Sequence, residues 1–174
     1  MKFYSGFSLQ NEEYLFEEFL KEGDYTISGF SYGAIKALAA LKQALEDKKR
    51  VDTLQLFSPA FFQTKDEKFK RLQLMSYKKN RAVYLQQFLK GCFLPYESKI
   101  IVQNIETKSC ELEELLMYVW DKETLEKLVR AGVKIEVYLG GKDSIIDVQN
   151  AREFFLEVAT VTYIKEANHF LQLS

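Results

Sequence analysis

The chain has 174 residues and a mass of 20.3 kDa, with 47% hydrophobic and 28% charged residues, which suits one domain with a real core. Eight glycines and two prolines are too few for a collagen-like, linker-rich or low-complexity chain. Its 25 acids and 24 bases leave a net charge of −1, so no global basic field argues for nucleic acid. Two cysteines, Cys92 and Cys110, can neither build a disulfide scaffold nor offer metal-ligand spacing. No apolar run approaches the roughly 20 residues of a membrane span, and Met1 to Gly6 lacks the apolar stretch of a secretory signal. The expectation is a reduced, soluble, cytoplasmic protein.

No internal repeat of fixed period is present. Phe3 to Phe7 reads as a short aromatic strand. Asn11 is placed to cap a helix from Glu12 to about Glu22, with Leu15, Phe16, Phe19 and Leu20 on one face and Gly23 after its end. Tyr25–Ser28 is the next strand, Ala34–Asp47 an Ala- and Leu-rich helix, and Thr53–Phe57 a third strand stopped by Ser58-Pro59. Val133–Leu139 shows the clearest alternation, Asp147–Val158 reads as a helix, and Thr160–Ile164 as the last strand. Strands alternating with helices predict a parallel α/β sheet of about five strands. From about 63 to 131 the pattern is helical only, far longer than a crossover needs, and is expected to be a helical cap inserted into a single domain.

Gly29-Phe30-Ser31-Tyr32-Gly33 is a G-x-S-x-G pattern after a strand and at the opening of a helix. A serine on such a sharp turn is strained and exposed for attack, and its neighbours must be small because strand and helix nearly touch. Its hydroxyl needs a base. The only histidine, His169, follows the last strand, on the rim where open parallel sheets carry their sites. A carboxylate must orient the imidazole. Asp143 directly follows the Val133–Leu139 strand. Asp147 is the alternative, although it suits the N-cap of the next helix. An oxyanion hole needs two backbone N–H donors. Tyr32, after the serine, supplies one, and the other should come from the loop after the first strand.

The order Ser31, Asp143, His169 resembles that of the α/β-hydrolases, in a reduced form. More narrowly, the chain is similar nearly end to end to the short pimeloyl-acyl-carrier-protein methyl ester esterases of Helicobacter-type bacteria. The resemblance rests on the Phe-Tyr-Ser-Gly-Phe start, Ser28–Lys36, Leu56–Pro59, Phe69–Leu74, Gly132–Val137 and Asn168-His169. It implies demethylation of pimeloyl-carrier protein in biotin formation, with an acyl-carrier protein as partner and no metal or cofactor. Ser5-Gly6-Phe7 resembles the family's His-Gly-aromatic loop, which implies the Phe7 N–H as the second oxyanion donor, with Ser5 where the wider family has a histidine. The family's further strands before the first, a strand and helix before the elbow, and a helix after the histidine have no counterpart. A thioesterase or small-molecule carboxylesterase would use the same triad, and a catalytically dead hydrolase fold serving as an interaction module is the alternative from another class.

Between Phe61 and Lys90 eight bases face two acids, whereas between Glu111 and Glu126 six acids face one base. Two solvated helix faces that pair with each other would explain this. The sharper reading is that Lys65, Lys68, Lys70 and Arg71 dock an acidic carrier protein. Phe61, Phe62, Tyr77, Tyr84 and Trp120 are candidate acyl-pocket residues, or ordinary core. Strands in simple order would gather their helices on one face, so a homodimer, or an unusual placement of the cap or of the segment after Glu12, is expected to cover the other.

Overall fold

Short β-branched and aromatic runs form the strands of the computed structural model, which describes residues 2–99 and 102–174. In chain order they are β1 (Lys2–Tyr4), β2 (Leu9–Gln10), β3 (Thr26–Phe30), β4 (Thr53–Phe57), β5 (Gln103–Asn104), β6 (Lys134–Gly140) and β7 (Thr160–Ile164). Strands β1, β3, β4, β6 and β7 lie side by side in that order, all parallel, and β2 pairs antiparallel with β5. The helices are α1 (Tyr32–Glu46), α2 (Glu67–Lys79), α3 (Arg81–Phe93), α4 (Ser109–Met117), α5 (Lys122–Arg130) and α6 (Val148–Leu156).

Register sorts the sheet into two faces. Leu54 and Ile135, then Leu56 and Val137, point to one side, where Ala37, Leu38 and Leu41 of α1, Leu125 and Leu128 of α5, and Ala151 and Phe155 of α6 complete the core. The rows Ser28–Gln55–Glu136 and Phe30–Phe57–Tyr138 point to the other side. No long helix lies there. Leu15 and Phe16 of a single 3-10 turn (Glu13–Phe16), Cys92 and Phe93 from the end of α3, and Phe170 and Leu171 cover it. Since the chain covers this face itself, the unusual placement of the segment after Glu12 replaces the reason for a second copy.

That segment is not the helix expected from Glu12 to Glu22. Ser8 and Asn11 take positive φ (60° and 64°), and the Glu12 carboxyl turns back onto the Gly6 N–H, so the chain enters already bent. Phe16 then lies flat against Phe30 and Phe57, with both ring centroids 4.9 Å away. Tertiary packing overrides the helical period here.

The stretch from 63 to 131 also differs in part from an all-helical cap. Helix α2 packs against α3 and α4, but α5 belongs to the sheet, with Leu125 and Leu128 in its core and Lys122 paired with Glu157 just after α6. After Phe93 the chain leaves the helix at Leu94-Pro95, because proline cannot continue the hydrogen-bond ladder, and Gln103–Asn104 goes on to pair with Leu9–Gln10. Among the described residues no helix is long and apolar enough to cross a membrane.

Candidate active site

Ser31 stands alone between β3 and α1, at φ 53° and ψ −115°. A non-glycine residue holds that backbone only when its surroundings enforce it. The Ser31 N–H donates to Phe57 O at 2.9 Å, and the Ala60 N–H donates to Ser31 O at 3.1 Å, tying the turn to the end of β4. The flanking glycines are steric necessities. A Cβ at Gly29 would lie 2.2 Å from Gly33 O, and one at Gly33 would lie 1.9 Å from Tyr4 O.

Asp143 follows β6 and His169 follows β7, so both stand on the carboxyl rim beside Ser31. His169 Nδ1–H donates to Asp143 Oδ2 at 2.6 Å, and both side chains are fully buried. Asp143 Oδ1 accepts the N–H groups of Ile145 (2.7 Å) and Ile146 (3.2 Å), which fixes the carboxylate plane. Asp147 takes no part. It caps α6, accepting from the Asn150 N–H and side chain and from the Thr64 hydroxyl. Burial pushes its pKa up, but these hydrogen bonds prevail and hold it below the ordinary value.

His169 Nε2 is buried and has no hydrogen-bond partner among the described residues, so the bond to Ser31 Oγ is not closed. Such a contact commonly tightens only with substrate bound. Two residues that sequence reasoning missed hold the histidine loop. Ser58 (φ 40°) donates its N–H to Tyr138 O and its hydroxyl to His169 O at 2.7 Å. The Asn168 side-chain amide donates to Phe93 O at 2.8 Å and accepts from the Gln172 N–H. In the sequence Ser58-Pro59 reads as a strand stop and as part of the resemblance, and nothing local announces a partner 111 residues away.

The rings of Phe7 and Tyr32 meet edge to face at 6.5 Å. The backbone N–H groups of both residues have no acceptor among the described residues, as an oxyanion hole requires. A cavity of about 210 Å³ opens beside Phe7, lined by Phe62, Phe69, Tyr84, Phe88 and Ile145 among others, with Lys65, Gln73 and Ser144 among its polar members. Of the aromatic candidates, Phe62 and Tyr84 line it. Tyr77 lines a separate outer groove with its hydroxyl on Thr107 O. Phe61 packs on Phe154 and Phe155. Trp120 is core, its indole N–H on Ala60 O at 2.8 Å.

No family model matches the sequence, and no curated protein matches it. Solved structures do. The carboxylesterase CesB (YbfK) of Bacillus subtilis superposes with a TM-score of 0.55 at 16% identity, over 85% of this chain and 54% of that one. The esterase EaEST of Exiguobacterium antarcticum gives 0.54 at 18%, over 83% and 59%. The hydrolase olei00960 of Oleispira antarctica gives 0.56 at 13%, over 85% and 59%. The chain adopts the α/β-hydrolase fold. It spans little more than half the length of these structures.

Within the α/β-hydrolase fold, Ser31, Asp143 and His169 occupy the ends of β3, β6 and β7. The four candidate docking bases differ in exposure. Lys68 and Arg71 are exposed on α2 and have no ion pair among the described residues. Lys65 sits at the cavity with its ammonium over the Phe69 ring. Lys70 is corrected: its side chain is only 10% exposed and lies 3.6 Å from Glu67, because the helical period turns that position inward. Among the described residues no ion pair within 4 Å joins the basic and acidic segments, although α2 packs against α4.

Proposed function

We propose that the chain is a serine carboxylester hydrolase. The observation that carries this reading is His169. Its Nδ1–H is committed to a carboxylate, so its Nε2 is a bare acceptor, buried without a partner beside a serine on a strained turn. An unsatisfied buried acceptor costs about 1–3 kcal/mol, and such an exception calls for a functional account. Ser31 Oγ would attack the ester carbon as His169 Nε2 takes its proton. The N–H groups of Phe7 and Tyr32 would receive the oxyanion, and Asp143 would hold the imidazolium. Collapse expels the alcohol, protonated by His169, and water then releases the acid from the acyl-enzyme by the reverse proton path.

The proposed substrate is the methyl ester of pimeloyl-carrier protein, so the products would be methanol and the free carboxylate for cytoplasmic biotin formation. Two features support a chain-like, carrier-borne acyl group. The cavity is smaller than the roughly 300–1,000 Å³ of drug-sized sites, suiting a slim chain. Helix α2 exposes Leu72 and Met75 among Lys68, Arg71, Lys78 and Lys79, which complements an acidic partner helix. Hydrolysis of pimeloyl-carrier methyl ester should exceed that of its thioester bond and of short free esters. Preference for the thioester would make the protein a thioesterase. Failure of a fluorophosphonate to label the pure protein at Ser31 would leave only a non-catalytic module.

A further inference from the structure

Glu12 is a carboxyl group with 0% exposure, placed against the loop that carries Phe7. Isolated buried carboxylates are expensive, and this one is compensated only by hydrogen bonds, the Gly6 N–H foremost. Oε1 accepts the Gly6 N–H at 2.7 Å, and Oε2 has no partner among the described residues. Burial raises its pKa more than the Gly6 N–H, its own N–H and the Ser5 hydroxyl together lower it, and either form of the carboxyl can accept from Gly6.

Gly6 needs that acceptor. It is buried against the Phe30 ring, where a Cβ would lie 2.8 Å from Cδ1, so water cannot serve its N–H. Its carbonyl is engaged as well, accepting the Leu9 N–H at 3.2 Å. That carbonyl shares a peptide plane with the Phe7 N–H, which therefore points the opposite way. The two planes flanking Gly6 are thus held separately, one by Glu12 and one by Leu9. Glycine restrains neither by itself.

We propose that Glu12 is a positioning residue for the oxyanion loop: by taking the Gly6 N–H it locks the glycine hinge and keeps the Phe7 N–H aimed at the acyl oxygen. The inference rests on the reading of Phe7 as an oxyanion donor. Glu12 touches no substrate. It acts through Gly6, and the left-handed turns at Ser8 and Asn11 bring it back to that point.

The test uses the full chain, a soluble p-nitrophenyl ester and a boronic acid that mimics the tetrahedral adduct. Glu12→Leu should lower kcat about 10- to 100-fold, below the full loss of an oxyanion donor, with KM changed less than about threefold. Boronate affinity should fall by the same factor as kcat/KM. Glu12→Gln, which keeps the acceptor oxygen, should restore activity to within about threefold of the parent. If Glu12→Leu does not fold, Glu12→Asp takes its place, one methylene too short to reach Gly6 and expected to lose kcat in the same way. A folded variant with parental kcat, a loss carried by KM, or a loss that Glu12→Gln fails to rescue overturns the inference while the parent remains an esterase. A parent that neither labels with fluorophosphonate nor turns over overturns the esterase reading and this inference with it.

Discussion

Replacing Asp143 by asparagine changes one atom and poses the imidazole a choice whose outcome the structure decides. In the parent, Oδ1 accepts two buried N–H groups, from Ile145 and Ile146, while Oδ2 accepts from His169. The amide can turn its NH₂ toward Ile145 and Ile146, but that sets donors against donors and forfeits two buried hydrogen bonds, each about 1–3 kcal/mol. Alternatively it keeps its oxygen on those N–H groups and presents NH₂ to His169. The imidazole then needs only to exchange tautomers, with Nδ1 accepting and Nε2 protonated, and all three hydrogen bonds survive. The second outcome wins. A protonated Nε2 cannot take the Ser31 proton, so kcat should fall about 10⁴-fold, the scale associated with a wrong tautomer in triads, while stability stays within about 1 kcal/mol. Hydrolysis of a p-nitrophenyl ester gives the rate, and chemical denaturation gives the stability. Asp147→Asn should leave kcat within about threefold and change stability little, because asparagine caps a helix about as well as aspartate. Retention of more than a tenth of parental kcat by Asp143→Asn, or a larger loss in Asp147→Asn, would refute the reasoning.

Gly33→Ala would drive a Cβ to 1.9 Å from Tyr4 O and 2.6 Å from Ser5 O, both backbone atoms. It should cost about 3 kcal/mol or more in chemical denaturation and abolish turnover by parting the elbow from the oxyanion loop. Burial raises the Glu136 pKa, but hydrogen bonds from Lys134, Lys21 and Tyr138 outweigh it and bring the value from 4.5 to about 2. The folded value lies below the unfolded one, so this stabilisation is present above about pH 4.5 and fades as pH falls toward 2; with both lysines near half exposed it amounts to about 1–2 kcal/mol. Acid titration of stability should show this loss in the parent and less of it in Glu136→Gln. Lys68→Glu combined with Arg71→Glu should raise KM for the carrier-borne ester about tenfold and leave a small soluble ester unchanged; equal KM values for the carrier ester would place docking elsewhere.

The parts of the site that were legible in the sequence are those enforced by local backbone demands. Gly29 and Gly33 announce the elbow because no side chain fits where helix and strand nearly touch. Asp143 is visible because it lies in the short loop that directly follows β6, whose sequence shows the clearest alternation. What stayed hidden depends on distant partners. Ser58 meets His169 across 111 residues and Asn168 meets Phe93 across 75, and a lone serine or asparagine carries no sign of such a contact. Glu12 was read as the first residue of a helix, whereas it closes a turn on Gly6. Lys70 looked like one more surface base because charge counts ignore which way a helical position faces.

The segment after Glu12 also explains how His169, the proposed base, is isolated from solvent. One face of the sheet is covered by helices, each about 10 Å thick. The other is covered by a thin layer of rings. Phe16 stacks on Phe57, Phe30 stacks on Phe170 at 5.0 Å, and Phe93 closes on Phe170 at 4.5 Å. Phe30 also packs at 4.9 Å from the His169 ring. The residues that cover the sheet are therefore the ones that exclude water from the imidazole. Exclusion strengthens the Asp143–His169 interaction, since charges act more strongly in a low-dielectric interior. It also leaves Nε2 with no competing solvent donor, so a serine hydroxyl arriving with substrate meets an unoccupied acceptor. A substitution such as Phe170→Ala would thin the sheet's cover and wet the base in one step. On the proposed reading of His169 as the base, stability and catalysis are coupled through these shared rings.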